Sequence, residues 1–159
     1  MADITPDDLA RLLRELADDL GDNDPTPLPD GTLEGIGHMA LDIIVTRTKM
    51  GIDADGHPFA PYAASYTKVR AAKGRRVAPP DLAMTGAMVS SATVDVQPPD
   101  TVVLKFLDRR ASEIAGYHNE GTRRMAERHW FDVKRPEELQ ALAEEAGGGV
   151  AVAIEARLS

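Results

Sequence analysis

The stretch that most constrains this chain runs from Pro80 to Phe106, PPDLAMTGAMVSSATVDVQPPDTVVLKF. Ala92–Val96 and Thr101–Phe106 are two short runs rich in β-branched residues, a composition that suits a half-buried pleated surface. Between them, Gln97-Pro98-Pro99-Asp100 reads as a four-residue turn, because proline fixes φ and donates nothing to a ladder. Ahead of them, Asp81 is placed to cap a short helix near 82–91. Leu82, Met84 and Met88 supply its apolar contacts, and Thr85 and Gly86 weaken it. The centre of the chain therefore predicts a helix feeding a β-hairpin, and nothing in it has the look of a catalytic site.

Helices are predicted on both sides of this hairpin. Thr5-Pro6-Asp7-Asp8 combines a capping hydroxyl, a first-turn proline and acids at the positive dipole end. Leu9, Leu12, Leu13, Leu16 and Leu20 then form one apolar stripe of a helix over 5–20, which Gly21 ends. Residues 21–31 (GDNDPTPLPDG) are a proline-rich extended connector. Thr32 is expected to cap a second helix over 33–50 that carries Leu33, Ile36, Met39, Ala40, Ile43, Ile44 and Arg47 along one side, with glycine at its end in Gly51. Gly35 and Gly37 weaken its first turn or permit the close approach of a partner backbone.

Residues 52–62 read as a tight turn at Asp55-Gly56 that returns Phe59 and Tyr62 to the core. Residues 63–74 form a short helix or an extended arm, and Lys73–Arg76 is expected to be mobile, being basic and without apolar anchors. Beyond the hairpin, Asp108-Arg109-Arg110 reads as a polar turn, 111–118 as a short helix or coil, and 119–122 as turn chemistry. Met125–Val133 is a third strand or an extended cover for the sheet. Pro136 opens a last helix, with Glu137 and Glu138 in its first turn, that Gly147-Gly148-Gly149 breaks. Val150–Leu158 alternates as a terminal strand would, a helical continuation being the alternative. The expected fold is α+β: a small antiparallel sheet built on the central hairpin, packed by several helices. Residues 1–31 form the N-terminal helix and connector, and 32–159 a single domain.

With 159 residues, one core is expected to bury about two-thirds of the unfolded surface. No run of about eighteen apolar residues crosses a membrane. The opening Met-Ala-Asp-Ile-Thr-Pro lacks the basic and apolar regions of a signal peptide, so synthesis in the cytoplasm is the expectation. The chain has no cysteine, which removes a disulfide framework and thiolate metal sites. A net charge of −8 argues against a broad nucleic-acid surface driven by counterion release. That charge is uneven. Residues 1–30 hold nine acids against Arg11 and Arg14, whereas 66–80 hold Lys68, Arg70, Lys73, Arg75 and Arg76 without an acid. Such asymmetry suits head-to-tail contact between copies, or else two independent solvated faces.

Candidate chemistry is sparse. Asp53 and Asp55 before Gly56 share the opening of a calcium loop, but the position of its bidentate glutamate is Ala64. His38, His57, His118 and His129 lack zinc-motif spacing. Tyr117-His118-Asn119-Glu120 offers His118 as a base and Glu120 as its orienter, with Ser90 or Ser91 as nucleophile, although no serine occupies a nucleophile elbow. Gly35-Ile36-Gly37 lacks the third glycine of a dinucleotide fingerprint. Arg123, Arg124 and Arg128 near Trp130 are either a solvated turn paired with Glu120 and Glu127, or an arginine–aromatic subunit contact, the reading preferred here.

Four segments in order carry a family likeness: Asp55-Gly56-His57-Pro58-Phe59-Ala60-Pro61-Tyr62 with Ser65-Tyr66; Leu82–Ser91 with Thr85-Gly86; Tyr117-His118-Asn119-Glu120-Gly121; and Met125–Phe131. Together, over about residues 33–145, they make the chain resemble the phage virion-morphogenesis family of neck and tail-completion proteins. Ala126 and His129 stand where that pattern has prolines, and Trp130 where it has phenylalanine. The resemblance implies a structural virion protein without catalysis or cofactor, forming a ring, hexameric by expectation, at the head–tail junction. Its partners would be other copies and adjacent neck, head-closure or tail-tube proteins, with no membrane. DNA would pass through the lumen without specific binding, as the negative charge suits. Asp55, Gly56, Pro58, Phe59, Pro61, Thr85, Gly86, His118, Gly121 and Phe131 would be the structural motif residues. Subunit contacts are expected from 66–80, 107–128 and the N-terminal helix: Lys68, Arg70, Arg75, Arg76, Arg123, Arg124, Arg128 and Trp130. On that view, Arg128→Ala with Trp130→Ala would fold but fail to assemble. The alternatives are a small hydrolase using His118 and Glu120, and a nucleic-acid-binding module using the basic run 68–76.

Overall fold

A computed structural model describes residues 31–97 and 101–145, together with the backbone of 154–156. The predicted 5–20 helix, the connector up to residue 30, and the glycine break at 147–149 lie outside the described residues. The fold is α+β. Helix α1 (Thr32–Met50) is followed by α2 (Ala64–Ala72), the single turn α3 (Ala87–Ser90), strands β1 (Ala92–Gln97) and β2 (Thr101–Phe106), α4 (Arg109–Glu120), α5 (Pro136–Glu145) and the short β3 (Ile154–Ala156).

The hairpin is the frame. β1 and β2 pair antiparallel from Ala92 opposite Phe106 to Gln97 opposite Thr101. Gln97 is thus a strand residue, one further than the sequence suggests, and the connection shortens to 98–100. β3 pairs parallel with β2, whose Val102, Val103 and Leu104 are all buried. Three consecutive buried residues mean that both faces of β2 are covered, as befits a middle strand.

α1 lies across this sheet. Ile36, Ala40 and Ile44 are fully buried and recur every four residues, one face of a helix. Gly37 explains the closeness of the contact. A Cβ there would stand 2.4 Å from Val94 Cγ1 and 2.8 Å from Val102 Cγ1, so only glycine admits the hairpin's valines. The expected close approach is real, and its partner is the chain's own sheet. Gly31, not Thr32, occupies the N-cap position, and no side chain caps this end. Gly51 ends the helix at φ 80°, its N–H reaching back to the carbonyls of Arg47 and Thr48.

Two other helix starts differ from expectation. Asp81 does not cap a helix. Its Oδ1 instead accepts from Ala83 N at 3.1 Å and from Arg70, while Leu82 turns the chain through φ 53°. That left-handed residue blocks helix propagation, at a cost of roughly 1–2 kcal/mol, and it leaves α3 only four residues long. Conversely, Asp108 is a helix cap and not a turn residue: its carboxylate accepts from Ala111 N at 2.7 Å and starts α4 at Arg109.

Residues 125–133 form no strand. They run irregularly over the sheet and place Trp130, Phe131 and Val133 in the core. Phe106, Trp130 and Phe131 form an aromatic cluster with ring centroids 4.7–6.2 Å apart. No helix among the described residues is long and apolar enough to cross a membrane.

Candidate functional site

The four motif segments converge on one polar clasp. Tyr62, from the first segment, accepts at its hydroxyl from Leu82 N (3.0 Å) and Asp81 N (3.2 Å), which fixes the entry to the second. Arg128, from the fourth, donates from Nε to Ala60 O and from Nη2 to Pro61 O, both at 2.9 Å, and from Nη1 to Ala126 O at 3.2 Å. Its backbone N–H donates to His118 O at 2.8 Å, tying the fourth segment to the third. Asn119 Oδ1 then accepts from both Trp130 N and Phe131 N at 3.1 Å. These bonds fix the irregular path of residues 126–131 without any regular ladder.

Two guanidinium groups approach the Tyr62 ring, Arg70 at 4.6 Å and Arg128 at 5.2 Å from its centroid. Arg70 also donates to Asp81 Oδ1 at 2.7 Å and, from Nε, to Arg76 O at 2.7 Å. Burial pushes the Tyr62 phenol up and the Arg128 guanidinium down from their ordinary values. His118 sits half-buried beside this cationic pair with no hydrogen-bond partner at Nδ1. Burial first, then the charges of Arg128 and Arg70, lower its pKa to about 4, so the imidazole is neutral at pH 7.

The motif residues outside this clasp shape turns. Asp53 Oδ1 accepts from Asp55 N (2.9 Å) and His57 N (2.8 Å), folding the chain over Gly56. Pro58 bridges back to Ile52, Phe59 enters the core, and Ala54 N donates to His129 O at 2.7 Å. Asp55 itself pairs with Lys134 at 2.6 Å, a contact that lowers its pKa. Thr85 Oγ1 accepts from Ala87 N beside Gly86, just ahead of α3. Gly121 closes α4 at φ 75°, and a Cβ there would meet Glu127 N at 2.8 Å.

The predicted contact residues divide. Arg70, Arg128 and Trp130 are interior, each at most 3% exposed. Their polar groups are occupied within the chain, Trp130 Nε1 donating to Ala115 O at 3.3 Å. They cannot dock a neighbour, and Arg128→Ala with Trp130→Ala would damage the core, contrary to the expectation of a folded variant. Lys73–Arg76 is not loose either: Arg75 N donates to Arg70 O, and Arg76 donates to Lys49 O at 2.7 Å. Lys68, Arg75, Arg76, Arg123 and Arg124 remain on the surface. So do Leu107 and Tyr117, which are 76% and 46% exposed.

The hydrolase constellation does not assemble. Ser90 Oγ donates to Ala87 O and Ser91 Oγ to Met88 O, both within their own turn, and Glu120 is exposed. No hydrogen bond among the described residues joins His118 to either serine or to Glu120.

A second buried polar node went unread in the sequence. Arg47 Nη1 donates to both carboxylate oxygens of Glu138, at 2.8 and 2.7 Å, and Nη2 donates to Trp130 O and Asp132 O. Both side chains are buried. The signal was present: each is a charged residue at an apolar position of its helix's period, Arg47 on the stripe of Ala40 and Ile44, and Glu138 four residues before Leu142.

Charge is distributed as unevenly as the sequence implies, with one refinement. Residues 31–97 and 101–145 carry fifteen acids and fifteen Lys or Arg. The folded core is thus electroneutral, and seven of the eight net negative charges reside in residues 1–30. Comparison of the chain with known protein families, curated proteins and solved structures returned no match.

Proposed function

We propose that this protein is a non-enzymatic, ring-forming subunit of a phage head–tail junction, a neck or tail-completion protein of the virion-morphogenesis type. The reading is carried by the four ordered motif segments between Asp55 and Phe131, and what those segments do supports it. Their polar groups bind one another's backbone, in the clasp of Tyr62, Arg128 and Asn119. A motif set used to fix chain paths belongs to a protein selected for shape. Subunits meet through the surface that remains: Arg123, Arg124, Leu107 and Tyr117 on and around α4, against the acidic N-terminal segment of the next copy. DNA passes the ring without specific binding, the negative charge of residues 1–30 being available to keep phosphates off the lumen.

Light scattering and negative-stain imaging of the purified chain test this. A closed ring is expected, and Arg123→Glu with Arg124→Glu should reduce it to monomers that keep the wild-type circular dichroism, since both arginines are exposed. A wild-type chain that stays monomeric up to its solubility limit overturns the ring. Salt-sensitive retention of duplex DNA, abolished by Lys68→Glu with Lys73→Glu, would move the assignment to a nucleic-acid binder.

A further inference from the structure

Residues 122–128 hang on one residue. Gly121 turns the chain out of α4 at φ 75°, and Thr122 and Met125 bridge only to each other. Arg123, Arg124, Ala126 and Glu127 are exposed, and none of 122–127 belongs to the core cluster. Among the described residues, every hydrogen bond from 122–128 to the rest of the chain is made by Arg128. Its N–H donates to His118 O, and its guanidinium donates to Ala60 O and Pro61 O. We propose that this segment is an acid-released latch, closed while His118 is neutral and opened when the imidazole takes a proton.

His118 is placed to work the release. Its Nδ1 is sealed from solvent and has no hydrogen-bond partner. A neutral ring can leave a bare lone pair there, whereas an imidazolium carries an N–H on each nitrogen and would bury one without an acceptor. The charges that act on the ring are both positive: Arg128 from the latch itself and Arg70 from α2. Asp81, the carboxylate of this cluster, is taken up by Arg70 at 2.7 Å. Burial keeps Tyr62, against which both guanidinium groups lie, in its neutral form. A proton on His118 therefore opposes the one anchor of the latch. Moving 122–128 into water relieves that repulsion and takes nothing from the core cluster. The pKa of about 4 in the closed chain, against 6.5 in the open one, measures the opposition. Arg123 and Arg124 ride on the latch, so on the reading proposed above acid loosens the subunit contact too. The latch itself belongs to one chain and stands whether or not rings form.

Hydrogen exchange of single amides in the full-length protein, corrected for the intrinsic pH dependence of each, tests this. The Arg128 amide, bonded to His118 O at 2.8 Å, is the probe. Its protection should fall by up to about 300-fold between pH 6.5 and pH 4, the ratio of the two proton affinities, while the amides of β2 stay protected. In His118→Gln the fall should vanish. His118→Phe, a neutral ring with no proton to take up, covers the case in which His118→Gln is already unprotected at pH 6.5. An equal fall in wild type and in the neutral variants overturns the latch. So does a loss of protection in β2 that keeps pace with Arg128, because that is acid unfolding of the whole chain.

Discussion

On the side where α1 meets α5, Arg47 faces the carboxylate of Glu138; on the side where the loops converge, Arg128 faces the carbonyls of Ala60, Pro61 and Ala126. Both arginines are 3% exposed. The first is centred on an ion pair between two helices 91 residues apart in sequence, with Trp130 O and Asp132 O on its other arm, and either member alone would be a buried charge. The second is a cation solvated by neutral dipoles, which gathers loops that no ladder holds. Regular elements bring their own backbone partners, so the first node turns on its carboxylate, whereas loops leave carbonyls free and the second node rests on those alone.

The sharpest way to break this contrast is Arg47→Met. It leaves Glu138 buried, with Arg135 its one other cation among the described residues at 3.6 Å, and should cost about 3–5 kcal/mol in urea unfolding. Adding Glu138→Leu should restore part of that loss, because the orphaned charge goes with it while Trp130 O and Asp132 O stay without their donor. A double variant no more stable than Arg47→Met would show that the pair does not act as a lock. Arg128→Met should cost less, about 2–3 kcal/mol, since it strands only neutral carbonyls. No second substitution among its three acceptors can compensate, because all are backbone. A loss equal to that of Arg47→Met would erase the distinction between the two nodes.

The same distinction governs what could be read in the sequence. The hairpin, the long α1 with its Gly51 end, and the helix from Pro136 announce themselves through local signals, namely β-branched runs, a 3.6-residue period and terminal residues. Where a tertiary bond overrides the local preference, the reading slips. Asp81 has the chemistry of a helix cap, but Arg70 and Ala83 N claim its carboxylate. Asp108 looks like turn chemistry and is a cap because Ala111 N lies in reach. Local signals point Arg70, Arg128 and Trp130 outward, Arg70 through the basic run 66–80 and Arg128 with Trp130 as an arginine–aromatic pair. Nothing local to them reveals that a tyrosine ring and three carbonyls wait inside. The Tyr62 clasp, the centre of the candidate site, joins residues up to 68 positions apart and leaves no periodic trace.

A smaller effect sharpens the comparison from the loop side. The protonated form of His118 is opposed by burial and by Arg128, so the folded chain takes up its proton near pH 4 and the unfolded chain near 6.5. Between these values the unfolded state binds more protons. The neutral imidazole therefore contributes its full stability above about pH 6.5 and loses it as the pH falls, by up to ~1.4 kcal/mol per unit. His118→Gln, measured against wild type at pH 7 and pH 5, should flatten this slope, with a difference of about 2 kcal/mol between the two pH values. Parallel curves would mean that neither burial nor the cationic clasp acts on His118.

Least is expected where the turn at Gly56 meets the segment after Trp130. Asp55 and Lys134 are paired at 2.6 Å, but Asp55 is 41% exposed, and water screens the pair. Asp55→Asn should therefore change stability by less than about 1 kcal/mol, and ~1 M salt should cancel the difference. The backbone bond from Ala54 N to His129 O survives the substitution and holds the same two segments together. If Asp55→Asn instead matched Arg128→Met, the junction would depend on its surface charges, and the buried guanidinium would lose its place as the centre of the loop half.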